Sequence, residues 1–361
     1  MRARRALLFL AIAAAQLGLF EMALRTWGHS EAAPSFQALF MPDPEIGYRL
    51  RPNARTRFVT AEFDTEIAVN EQGVRDDTPI GPKPPNERRI VVLGDSLVLS
   101  VQVQLRQTFC RLLQDGLNAA GGPVRYRVIN AGVQGYGPVE ELLFFRRVAR
   151  AFQPDLVITT IFVGNDAEEA VATVAKLRGE PAAAAAISDT TVTGLRRLVR
   201  RSMVLQLLRL RVVSITDRLP RWGAPPEPPL QSYAEQPAAR IDEGLRISRE
   251  CVQAIVDESA ALGAKSMILL MPARFQVDDL DYGRLKDAVE STGGKLVRDA
   301  ATTRFNEALA PIPVPRFDVL PALRAALPGP DVFFQQTVHL TPRGHAIVAQ
   351  ALGDFIVRNG L

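Results

Sequence analysis

Ser96 is the residue of this chain best placed to do chemistry. In Gly94-Asp95-Ser96-Leu97 it follows the apolar run Arg89-Ile90-Val91-Val92-Leu93 and precedes a helical stripe. A serine there turns its hydroxyl into the crevice beyond a strand. It also lies near a helix N-terminus, where backbone N–H groups and the helix dipole favour a developing negative charge. A serine hydroxyl is a weak nucleophile without a positioned base. The chain has three histidines: His29 beside an N-terminal apolar segment, His339 in a loop, and His345 inside the final helix. Elimination leaves His339 as the base, and His345 is expected to make structural hydrogen bonds. Acyl transfer also needs donors for the oxyanion of its transition state, and losing one costs about 3 kcal/mol. Gly135, in Asn130-Ala131-Gly132-Val133-Gln134-Gly135, can present a backbone N–H that no side chain blocks, and Asn165 offers a side-chain amide. Each also has an ordinary reading, because glycines after strands serve turns and an Asn after Gly serves as a cap.

Taken together, the loops resemble the blocks of the SGNH, or GDSL-type, hydrolase family. Gly94-Asp95-Ser96-Leu97 looks like its first block, the second ends at Gly135, Gly164-Asn165-Asp166 looks like the third, and His339-Leu340-Thr341-Pro342 looks like the fifth. The resemblance covers residues from about 89 to 361, with an insertion unmatched, and Pro42 to Arg75 looks like an arm carried by exported relatives. It implies a three-layer α/β/α, flavodoxin-like parallel sheet. It further implies Ser96 as nucleophile, His339 as base, an oxyanion hole of Ser96 N–H, Gly135 N–H and Asn165, and no metal or organic cofactor. There is one departure. The family usually has an aspartate three residues before the histidine, where it orients the imidazole and stabilises its positive charge. Here that residue is Gln336, followed by Thr337, and the nearest acid in the stretch is Asp331. Three readings stay open: a Ser96–His339 dyad whose ring is oriented by a backbone carbonyl, an acid reaching in from elsewhere, or a weakened or inactive site.

These loops need elements to position them. Arg89 to Leu93, Tyr126 to Asn130, Asp155 to Val163, Ser266 to Met271 and Arg316 to Val319 read as strands. Helices are expected through Phe109, Leu112, Leu113 and Leu117, and over Glu140 to Phe152, Glu243 to Leu262, Ala300 to Leu309 and Pro342 to Val357. Near-continuous apolar strands alternating with helices predict a parallel sheet covered on both faces. In such sheets ligands bind beyond the carboxyl ends of the strands, where the four loops fall. The domain plan is a membrane anchor or signal segment over 1–24, an extended arm with a small β element over 25–88, and the hydrolase domain over 89–361. Within the last, about 167–240 reads as a helical insertion. Its basic apolar stretch from Leu195 to Val213 suits an anionic membrane surface, a cap over the active site, or a helix packed on the domain with its arginines in water.

The N-terminus suggests a location. Arg2, Arg4 and Arg5 precede a mostly apolar run from Ala6 to Phe20, interrupted by Glu21. That pattern reads as an export signal kept as an uncleaved anchor, with the basic end cytoplasmic and the catalytic domain on the extracytoplasmic, periplasmic side; export after cleavage is the alternative. At 361 residues and 47% hydrophobic composition, the chain can bury a substantial core. A net charge of +4 without a dense basic block excludes nucleic acid as a partner. The two cysteines, Cys110 and Cys251, lack paired spacing and read as buried free thiols. The expected activity is a serine-dependent carbohydrate or lipid esterase of the cell envelope. The alternatives are a sugar O-acyltransferase using the same site and a non-catalytic glycan-binding envelope protein.

Overall fold

In the computed structural model, Glu87–Gly94 (β5), Arg125–Gly132 (β6), Leu156–Phe162 (β7), Lys265–Met271 (β8) and Arg316–Asp318 (β9) form a parallel sheet in the order β6-β5-β7-β8-β9. The cause lies in the strand composition. Successive strand residues point to opposite faces, and β5 and β7 are apolar at both parities, so each face must be covered. Ile90, Val92 and Ile158 pack with Leu113, Val348 and Leu352 on one side. Val91, Leu93 and Val157 pack with Phe144, Phe145, Ile247 and Ile255 on the other. The covering elements include Phe109–Ala119, Pro138–Arg147, Asp166–Leu177, Ala239–Ala261 and Pro342–Arg358. The parallel sheet with helices on both faces follows the sequence reading.

The structure describes residues 36–60, 62–119, 121–178, 230–291, 293–327, 332–335 and 337–361, with Gln16 and Gly18. The anchor reading of 1–24, His29, the basic stretch Leu195 to Val213, Asp331 and Gln336 lie outside the described residues. Among the described residues no helix is long and apolar enough to cross a membrane.

The arm holds more order than its composition suggests. Phe40–Asp43 (β1) pairs antiparallel with Gly47–Leu50 (β2), and Arg55–Val59 (β3) with Asp64–Ala68 (β4). Only the last of these carries an alternating pattern in the sequence. The arm packs on the face of the sheet that carries Val91 and Leu93, contributing Leu39, Leu50, Ile67, Val69 and Val74 to that core. Arm and sheet belong to one compact unit.

Candidate active site

Ser96 opens a single helical turn, Ser96–Leu99 (α1), immediately beyond β5. Asp95 caps it, its carboxylate accepting the Leu97 N–H at 2.8 Å. The turn closes through Ser100 in the left-handed region, whose N–H donates to the Ser96 carbonyl at 2.8 Å. One turn carries little of a macrodipole, so what α1 offers a developing anion is its free backbone N–H groups. Two glycines let the turn sit this close to the sheet. A Cβ at Gly132 would stand 2.3 Å from the Leu99 nitrogen, and one at Gly94 2.3 Å from Val98 Cγ2.

The strands flanking β5 carry the proposed oxyanion donors. Gly135 lies three residues past β6, exposed and at φ +70°. Tyr48 of β2 donates its hydroxyl to the Gln134 carbonyl at 2.6 Å, and Tyr136 donates its own to the Tyr48 carbonyl. Asn165 lies three residues past β7, at the N-cap of Asp166–Leu177 (α4). Its Nδ2 donates to Glu169 Oε1 at 2.6 Å, while its Oδ1 is buried without a hydrogen-bond partner. An amide nitrogen carries two hydrogens, so this bond leaves one free.

Beneath these loops lies a set of buried carboxyls. Desolvation, the largest cause in each case, pushes Asp95 up to about 6 and Glu169 up to about 8, and raises Glu140, Glu141 and Asp166. Hydrogen bonds offset part of the cost at some positions: Phe162 N–H donates to Asp166 at 2.8 Å, and Thr173 and Gly137 N–H serve Glu140 at 2.6 and 3.2 Å.

His339 stands in the loop before Pro342–Arg358 (α10). The loop is pinned from within: Phe334 N–H donates to the His339 carbonyl at 2.9 Å, Phe333 bridges to Leu340, and Thr341 caps α10. It is also pinned from outside. Arg274, just past β8, donates to the Phe334 and Gln335 carbonyls at 2.8 and 2.5 Å. The tip of the β3–β4 hairpin meets the loop too, through Glu62, which accepts the Gln335 N–H at 2.6 Å, and Phe63, whose ring lies 5.4 Å from that of Phe334. The Ser96, Gly135 and Asn165 loops leave the carboxyl ends of β5, β6 and β7, and the His339 loop is tied to Arg274 just past the carboxyl end of β8.

The imidazole itself is unengaged. Both ring nitrogens of His339 are buried without a hydrogen-bond partner among the described residues, and desolvation pulls the ring down to about 4. It is therefore a neutral free base near pH 7. Neither the Ser96 hydroxyl nor any carboxylate or carbonyl among the described residues hydrogen-bonds to it. Catalytic hydrogen bonds are often long in an empty site and tighten with substrate.

His345 is structural, as its place in the final helix suggests. Its Nδ1 accepts the Phe109 N–H at 3.3 Å, its ring stacks on Phe109, and burial holds it down at about 3. Cys110 and Cys251 are free and buried. Sequence reasoning did not single out Tyr48, Glu169, Arg274 or Arg75 as supports of the site. Glu169 alone carries a local signal, four residues after Asn165 and so on the same helix face.

Solved structures similar to this chain include a lipase/acylhydrolase and several esterases. TesA matches at 14% sequence identity and a TM-score of 0.41, over 74% of this chain and 98% of its own. The lipase/acylhydrolase from Enterococcus faecalis matches at 14% and 0.42, over 75% and 96%. The acetyl xylan esterase AlAXEase matches at 12% and 0.42, over 74% and 99%. No protein-family model and no curated protein matches the sequence.

Proposed function

We propose that this chain is a serine-dependent ester hydrolase of the SGNH type, with Ser96 as nucleophile and His339 as base. One observation carries the reading. The serine-bearing turn follows β5, and the two strands hydrogen-bonded to β5 end in the loops of Gly135 and Asn165, so candidate oxyanion donors flank the nucleophile on both sides. In this mechanism Ser96 Oγ attacks the acyl carbonyl while His339 takes its proton. The tetrahedral oxyanion is met by the N–H groups of Ser96 and Gly135 and the amide of Asn165. Collapse expels the alcohol, which regains the proton from His339, and water then releases the acyl group by the reverse sequence.

The substrate proposed is an acylated carbohydrate or lipid of the cell envelope, met on the extracytoplasmic side. The basis for that location is Arg2, Arg4 and Arg5 before the apolar run Ala6 to Phe20. If a sugar hydroxyl replaces water in the second half, the same site becomes an O-acyltransferase. The experiment is labelling by an active-site serine probe with Ser96→Ala as control, followed by comparison of acetate release with transfer to glycan hydroxyls. Labelling that is absent, or that persists in Ser96→Ala, rejects the catalytic reading. It would leave the second reading, a non-catalytic glycan-binding protein, which is favoured by the His339 ring having no hydrogen-bond partner among the described residues.

A further inference from the structure

One of the arm's contacts with the candidate site is a hydroxyl on the Gly135 loop. Tyr48 Oη donates to the Gln134 carbonyl at 2.6 Å, and that carbonyl belongs to the same peptide unit as the N–H of Gly135. In a trans peptide the two groups point in opposite directions. A donor fixed on the carbonyl side therefore turns the Gly135 N–H away from the arm and holds it there. We propose that Tyr48 is a positioning residue for ester hydrolysis, bracing the Gln134–Gly135 peptide from behind so that the Gly135 N–H is preset as an oxyanion donor. The inference rests on the reading of Gly135 as such a donor.

Four observations support it. Gly135 N–H has no acceptor of its own among the described residues, so it is available to a ligand. Gly135 is held at φ +70°, and a Cβ there would stand 3.0 Å from the Tyr48 hydroxyl, so the loop shape and the tyrosine are matched to each other. Tyr48 is itself immobilised, with its ring edge-on to Phe40 and Tyr136 at 5.8 and 5.6 Å and its carbonyl taking the Tyr136 hydroxyl. Finally, burial, helped by the charges of Glu140 and Glu169, pushes the Tyr48 phenol up to about 12, so it remains a donor at any ordinary pH.

The physical consequence is twofold. An exposed glycine loop would otherwise sample several peptide orientations, and fixing one of them removes reorganisation at the moment charge develops. A hydrogen bond accepted by the carbonyl also polarises the peptide, making its N–H a stronger donor. Both effects act on the transition state more than on the bound ester, so they appear in kcat rather than in KM.

The test is Tyr48→Phe, which keeps the ring and its packing and removes only the hydroxyl. The expected result is a loss of about tenfold in kcat with KM within about twofold, a fraction of what losing an oxyanion donor outright costs. An arylboronate, which binds as a tetrahedral anion, is expected to lose the same factor in affinity. Arg51→Gln is the control for general loosening of the arm, because Arg51 ties β1 to β2 through the Ala38 and Phe40 carbonyls, away from the loop. It is expected to keep wild-type kcat. An active wild-type protein whose Tyr48→Phe variant keeps full kcat, or loses no more than Arg51→Gln, overturns the bracing role alone. A wild-type protein with no turnover and no serine labelling overturns the hydrolase reading and the bracing role together.

Discussion

Arg75 donates from its guanidinium to the Leu99 carbonyl at 2.6 Å, so an arm residue closes the turn that Ser96 opens. The same group serves the Ser100 carbonyl and, at 2.6 Å, the Val103 carbonyl. Arg75 is 1% exposed, and burial pulls it down to about 10. A cation this deep is retained because it satisfies the Leu99 and Val103 carbonyls, while the Ser100 carbonyl also takes the Val103 N–H at 3.2 Å. Arg75→Met leaves the Leu99 and Val103 carbonyls stranded, and each unsatisfied buried acceptor costs about 1–3 kcal/mol. A loss of about 3 kcal/mol in unfolding free energy is expected from urea titration, together with reduced ester turnover at temperatures where the variant is still folded. Unchanged stability would mean that the arm is not what holds the Ser96 turn.

The pH profile should carry the mark of an imidazole with no acid partner among the described residues. An aspartate beside the ring would raise its pKa, whereas His339 is pulled down to about 4 by desolvation alone. The acid limb of kcat/KM is therefore expected near pH 4, with activity largely retained at pH 5.5. His339→Ala should remove activity by about a thousandfold or more across the profile. The stability linkage has a definite sign. Below about 6.5 the unfolded chain takes up a proton that folded His339 does not, so stability falls as pH drops from about 6.5 to 4. The profile must be measured on protein shown to be folded at each pH. An acid limb at 6.5 or above would reveal a carboxylate acting on the ring.

The strands and helices that carry the site were legible because each has an unambiguous period. β7, for example, is apolar at every position but its two threonines and is buried throughout, a pattern that fits a central parallel strand. Ser96, Gly135 and Asn165 fall just past such strands, whereas His339 lies well beyond β9, in the loop before α10. The arm was not legible. Phe40-Met41-Pro42-Asp43 and Gly47-Tyr48-Arg49-Leu50 are short and broken by Pro and Gly, and their pairing is set by contact with the Tyr136 loop rather than by their own propensity. Asp166–Leu177 was read as the start of an insertion, yet it packs on Ala239–Ala261 so closely that a Cβ on Gly244 would stand 1.9 Å from the Ala167 carbonyl. That contact spans more than sixty residues of sequence, which no local pattern encodes. The supports of the site, Tyr48, Arg75 and Arg274, act through long-range hydrogen bonds to backbone carbonyls. Carbonyls are present at every residue, so no motif announces them.

The buried carboxyls give the last prediction. Glu141 is 1% exposed, and neither of its carboxylate oxygens has a hydrogen-bond partner among the described residues. Burial, followed by the charges of Asp95, Glu140 and Glu169, raises it well above the usual range. The folded protein therefore holds a proton on Glu141 that the unfolded chain gives up above about pH 4.5. Stability is lost on this account as pH rises, at up to about 1.4 kcal/mol per pH unit until the folded group itself titrates. Glu141→Gln is a neutral isostere that cannot ionise. Its melting temperature should match the wild type near pH 4 and exceed it by a margin that grows toward pH 8. Equal melting temperatures at pH 8 would mean that Glu141 finds a charged or hydrogen-bonded partner in solution, and the picture of a protonated carboxyl near Asp95, Glu140 and Glu169 would be wrong.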